Sequence, residues 1–243
     1  MHLRCSAPSF ALLLPLAAAC GSTPPPVADA PVEKQEEVSH TAHHDAPSIE
    51  YDLGSIDPSV AQRRFDTLKS TWNGCFDDAH QKNDTLRGSL SFTIRTNKDG
   101  SVKWAYVTSS ELGDRSVEKC VIDSVKAQNF GAPMDAREGE IKDKSYGWQI
   151  DDDEERPADP GDPSTVLTAI GKAKGKLDDC RKSSTAHFTA TIYVAPKGKP
   201  RSIGVAIDDP SGDDAIDCVV EVLSKLKYTN NSSWTTKVSV QLP

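Results

Sequence analysis

The residues of this sequence that could do chemistry are few and scattered. His40, His43, His44 and Asp45 form a His-x-x-His-His-Asp run holding three of the six histidines. Imidazoles so clustered could bind Zn²⁺, Ni²⁺ or Cu²⁺. The run lies among prolines and acids that fix no ligand geometry, so chance composition is the plainer account. Gly171-Lys-Ala-Lys-Gly175-Lys176-Leu177 suggests a phosphate loop. It has the wrong spacing, no Ser/Thr after the lysine and no strand before it, so an exposed helix surface fits better. The acidic run at 151–162 lacks the Asp-x-Asp-x-Asp-Gly spacing of a calcium loop. Beyond residue 58 only His80 and His187 remain as histidines, too little for a conventional acid–base or nucleophilic site. No catalytic residue, metal ligand set or cofactor is expected.

The elements that would position these residues occur twice. Ala61, Phe65, Leu68, Trp72, Cys75 and Ala79 recur at helical steps. Leu90, Phe92 and Ile94 then alternate with polar residues, Asn97-Lys-Asp-Gly100 turns, and Val102, Trp104 and Tyr106 alternate again. A second helix spans Asp114 to Asn129, and a strand around Tyr146–Ile150 closes the unit. The second set repeats that order. Val166, Ile170, Ala173, Leu177 and Cys180 mark a helix, and Phe188 to Val194 a strand. Pro196-Lys-Gly198 turns, Ile203 to Ile207 alternate, Ala215 to Leu226 are helical, and Val238, Val240 and Leu242 end the chain. From Leu90 to Phe130 the copies align without a gap at an offset of 98, and Cys120 falls on Cys218. Each copy reads αββαβ, an α+β plan with two helices on a small, mostly antiparallel sheet. Trp72, Trp104, Trp148 and Trp234 are expected in the core or on a sheet face.

Residues 1–19 carry an early Arg4, a short apolar stretch and Ala17-Ala-Ala before Cys20, the plan of an export signal. The Leu-Ala-Ala-Ala-Cys run resembles the lipobox of bacterial lipoproteins, which implies cleavage before Cys20, its acylation and membrane anchoring, and Gly21 fits outer-membrane sorting. An exported chain meets oxidising conditions, where cysteines pair. Four cysteines allow three pairings, and the duplication selects Cys75–Cys120 and Cys180–Cys218. Each would clip one helix to the other. A metal site is a poorer account, because no Cys-x-x-Cys occurs.

Net charge is −8, unevenly spread. Residues 20–58 carry −7 and residues 151–162 carry −6, whereas 59–150 carry +1 and 163–243 carry +3. The two acidic, proline-rich pieces read as a disordered stalk and a linker acting as a hinge. The acidic total and the lack of a basic stripe argue against nucleic acid. The expected organisation is a signal at 1–19, a lipidated stalk at 20–58, one domain at 59–150, a linker at 151–162 and a second domain at 163–243.

A helix ending in Cys75, a hairpin with Asp99-Gly100 at its tip, Ser116-Val-Glu-Lys-Cys-Val121 and then Phe130 together resemble the AgmX/PglI C-terminal domain. That family is similar to the TonB C-terminal domain and common in myxobacterial envelope proteins. The likeness is fuller over 59–150, where Asn129-Phe-Gly-Ala-Pro133 matches an aromatic-then-proline stretch, than over 163–243. It implies envelope location and protein contacts, in some members linked to gliding motility, and it supplies no catalytic residues. TonB works from an inner-membrane helix, whereas this chain has a lipobox-like anchor. The resulting expectation is a non-enzymatic lipoprotein, on the outer membrane of a Gram-negative bacterium, that binds envelope proteins by strand addition. A metal-handling lipoprotein using His40–His44 and an inert envelope spacer are the alternatives.

Overall fold

Helix α1 (Pro58–His80) begins where its sequence tells it to. The Asp57 carboxylate accepts the Ser59 and Val60 amides at 2.8 and 3.3 Å, and Pro58 occupies the first helical position, where a missing N–H costs nothing. The computed structural model describes residues 53–149, 155–182 and 184–243. The export signal, Cys20, the stalk to residue 52 and the His40–Asp45 run lie outside the described residues.

The first copy continues through β2 (Gly88–Thr96), β3 (Val102–Ser110), α2 (Arg115–Lys126) and β4 (Glu138–Trp148). A two-residue strand, β1 (Leu53–Gly54), precedes α1 and pairs in parallel with Glu138 and Gly139. The sheet order is β1-β4-β2-β3. The second copy has the same plan: β5 (Asp159–Pro160), α3 (Ser164–Lys172), α4 (Lys174–Arg181), β6 (Phe188–Val194), β7 (Pro200–Ile207), a 3₁₀ helix (Pro210–Ala215) leading into α5 (Ile216–Ser224), and β8 (Thr236–Gln241). Its order, β5-β8-β6-β7, matches the first strand for strand. The fold is α+β, and each copy gains a short parallel strand ahead of its first helix. These strands fall in the stretches read as stalk and linker, where two residues are too few for alternation to show.

Both disulfides join helices, Cys75 to Cys120 and Cys180 to Cys218, with Cα atoms 6.4 and 5.6 Å apart. Each sheet carries its helices on one face, and the core lies between. In the first copy Trp72 is 0% exposed, amid Phe65, Phe92 and Tyr146 at centroid distances of 5.0 to 6.3 Å. Trp148 is buried too, stacked on Phe76. Leu177, Ile192 and Val219 fill the second core. The hairpin tips repeat closely. Gly100 and Gly198 sit at φ 84° and 81°, and a Cβ there would strike the backbone of Gly131 or of Tyr228. Phe130 and Tyr228 each donate an amide to the glycine carbonyl, at 2.8 and 2.9 Å, tying the end of the second helix to the hairpin.

The copies also pack on one another, within the single unit Ile49–Pro243. Tyr106 of β3 joins the second core, while Tyr193 and Ala206 join the first. The Tyr193 hydroxyl donates to the Arg87 carbonyl at 3.0 Å, the Thr191 hydroxyl to the Ser110 carbonyl at 2.7 Å, and the Asn83 amide to the Ser202 hydroxyl at 3.0 Å. Arg115–Asp217 and Lys126–Asp213, both 2.7 Å, bridge the copies at the surface. On the linker's C-terminal side Trp234 donates to the Pro157 carbonyl at 3.0 Å and Arg156 lies over the Trp234 ring.

Candidate functional site

A sheet edge binds another chain only where its N–H and C=O groups point outward with nothing already on them. The backbone settles which edges qualify. In β8, Leu242 donates its amide inward to the Phe188 carbonyl at 2.8 Å, so the even-numbered residues face β6. Lys237 accepts from the Gly161 amide at 2.8 Å on the opposite side, so the odd-numbered residues face out. Strand β5 covers that side only as far as Lys237. Beyond it Ser239 and Gln241 are exposed, and no backbone partner meets their outer side among the described residues. The open segment, Val238 to Leu242, carries no charge.

The corresponding edge of β4 is guarded. Lys142, Asp143 and Lys144 put charge along it, and the pairing with β2 shifts register between Phe92 and Ile94, where Asp143 takes φ 48°. Charge and a bulge are ordinary ways of blunting an edge. The far-edge strands, β3 and β7, pack against the opposite copy, and on β7 an outward backbone group is taken. The Val205 amide, which points away from β6, donates to Glu118 Oε2 at 3.0 Å.

Beside the open edge lies a groove of about 550 Å³ between the end of β3 and the uncovered face of the second sheet. Ser110, Glu111, Thr189, Thr191, Lys237 and Ser239 line it. Thr191 and Ser239 hydroxyls lie 3.1 Å apart. Lys237 donates to the Arg87 carbonyl at 3.0 Å and sits 5.4 Å from the Tyr193 ring centre. Burial holds its ammonium below the usual lysine range, and burial likewise pushes the Tyr193 phenol up to about 12. A side chain of an added strand that faced the groove would meet hydroxyls, the Lys237 cation, the Glu111 carboxylate and the apolar Ala206, a lining of mixed character.

The residues singled out in the sequence do not converge on one site. Cys75, Cys120, Cys180 and Cys218 are all used in disulfides. His80 contacts Glu155 at 2.8 Å, and His187 contacts Asp208 at 2.8 Å, at separate places. Gly171 to Lys176 straddle the break between α3 and α4. Among the described residues no group of three or more His, Cys, Asp or Glu could hold a metal ion, and no helix is long and apolar enough to cross a membrane. Tyr193, Gly204 and Lys237, which matter to the geometry, carried no motif, and Glu118 lay inside the Ser116–Val121 run without being given a role there. Their signal lay in the alignment of the copies: Glu118 falls on Ile216 and Tyr106 on Gly204, mismatches of charge and size at equivalent positions.

No family model matches the chain, and neither a curated protein nor a solved structure does.

Proposed function

We propose that this chain is a non-enzymatic, lipid-anchored protein of the cell envelope, sited at the outer membrane, whose second repeat binds an extended segment of an envelope protein by strand addition on β8. The observation that carries this reading is the uncharged, uncovered outer edge at Ser239 and Gln241, in contrast to the charged, bulged edge of β4 and the β7 edge whose Val205 amide is already taken. Main-chain groups would give affinity, and the adjoining groove would receive one side chain of the added strand. The lipobox-like run at Cys20 and the resemblance to the AgmX/PglI C-terminal domain support the location and the protein-binding role.

Proline tests the edge. At Ser239 or Gln241 it removes an outward N–H and leaves the β6 ladder intact, because proline is tolerated on an edge. A photo-crosslinking residue placed at the exposed Pro243, directly after the open segment, should give adducts with envelope proteins in intact cells. The Ser239→Pro, Gln241→Pro double variant should lose those adducts while keeping its circular dichroism spectrum. Unchanged adducts in the folded variant would overturn strand addition at β8.

A further inference from the structure

Glu118 is the one charged residue type in the buried set of the described residues, at 0% exposure. It sits on α2, one turn after the capping Asp114, and points across the junction between the repeats. Oε2 accepts the outward amide of Val205 on β7 at 3.0 Å. Oε1 has no hydrogen-bond partner. It rests against Gly204, where even a Cβ would collide with it. A buried carboxylate with one amide for company is costly, whereas its neutral form is much less so. We propose that Glu118 is a proton-operated latch between the two repeats, sealing their junction against β7 when neutral and releasing it when ionised.

The surroundings fit that role. On α2 itself, Arg115 draws the carboxyl down and Asp114 pushes it up, but Arg115 is held by Asp217 of α5 at 2.7 Å. Asp213 of the 3₁₀ helix is taken by Lys126. Strand β7 offers charge only near its ends, where Arg201 pairs with Asp84 and the following Asp208 with His187. At the end of β3 the Ser110 hydroxyl draws the carboxyl down more than Arg115 does, and Glu111 is bonded to Ser89. Among the described residues, the cations named around Glu118 are each already paired with another carboxylate. Burial dominates and pushes its carboxyl up to about 7. The folded value lies above the unfolded one, so the closed junction is favoured below the ordinary carboxyl range and is lost as pH rises through about 7. Release would uncover the Val205 N–H, giving the chain a strand edge that the closed form withholds.

Hydrogen exchange on the full chain, corrected for intrinsic rates, reads this directly. Protection of the Val205 amide should fall about 25-fold between pH 5.5 and 8, each pH unit in that window being worth up to tenfold until the carboxyl has ionised. Amides in the body of the first core, such as Phe92, should not change. Glu118→Gln should flatten the Val205 profile, and so should Glu118→Ile, which installs the residue found at the same place in the second repeat. A Val205 profile that persists in either variant, or a loss of protection shared equally by Phe92, would overturn the latch.

Discussion

The two repeats share a frame and differ in what the frame exposes. Both have the same strand order, a glycine-tipped hairpin, an aromatic tied back to that glycine, and one disulfide between helices. The first is built around aromatic stacking, the second around aliphatic side chains: Trp72 occupies the place of Leu177, and both are 0% exposed. The first helix of repeat one is continuous over 23 residues, while its counterpart breaks at Ala173 between Gly171 and Gly175. Repeat one guards its β4 edge with charge and a bulge, and repeat two leaves β8 plain. The cores and clips therefore carry the common stability problem, and the edges have been free to diverge. The proposed strand-binding role then falls on one repeat only.

That comparison can be broken at its core first. Trp72→Ala should cost about 3–5 kcal/mol and Leu177→Ala about 2–5 kcal/mol, both from large cavities in filled cores. Urea denaturation with probes in each repeat tests whether the two losses are separate or shared. One cooperative transition, displaced by either variant, would show that the packed junction couples the repeats. Next come the disulfides. Replacing Cys75 and Cys120 by serine, or Cys180 and Cys218, opens loops of 45 and 38 residues. Chain entropy predicts nearly equal losses of about 4 kcal/mol. A clear inequality in thermal denaturation would show that one clip also holds the junction. The smallest effect concerns caps. Asp114 accepts the Ser116 and Val117 amides at 2.9 and 3.2 Å, so Asp114→Ala should cost about 1 kcal/mol. In repeat two that position is Gly212, and Asp209 caps only the 3₁₀ turn through Ser211 at 2.9 Å. Asp209→Ala should therefore cost less in the same measurement.

Periodicity made much of the fold legible. The α1 face ran through Ala61, Phe65, Leu68, Trp72 and Ala79, with Phe76 buried beside Cys75. The duplication identified both disulfides before any coordinates. What stayed hidden has physical reasons. Strands β1 and β5 are two residues long and end in glycine or proline, so they carry no alternation. Thr191 and Tyr193 alternate with apolar residues yet meet the other repeat, because alternation distinguishes two faces without saying what covers the second. Nothing in the periodicity singled out Glu118, and only its alignment with the buried Ile216 hinted at its burial. The open edge itself could not be read, because which amides point outward depends on register and on how far β5 reaches.

The size mismatch at Gly204 has a consequence for assembly. Tyr106 is its counterpart in the first repeat. If two first repeats from different molecules came together as the two repeats of one chain do, each would set a tyrosine ring where even a single methyl group collides with Glu118. The junction thus accepts one order of partners and rejects the self-pairing of its first half. A chain built of two like repeats has in this way become its own heterodimer, in which the first repeat accepts a second repeat and not a copy of itself.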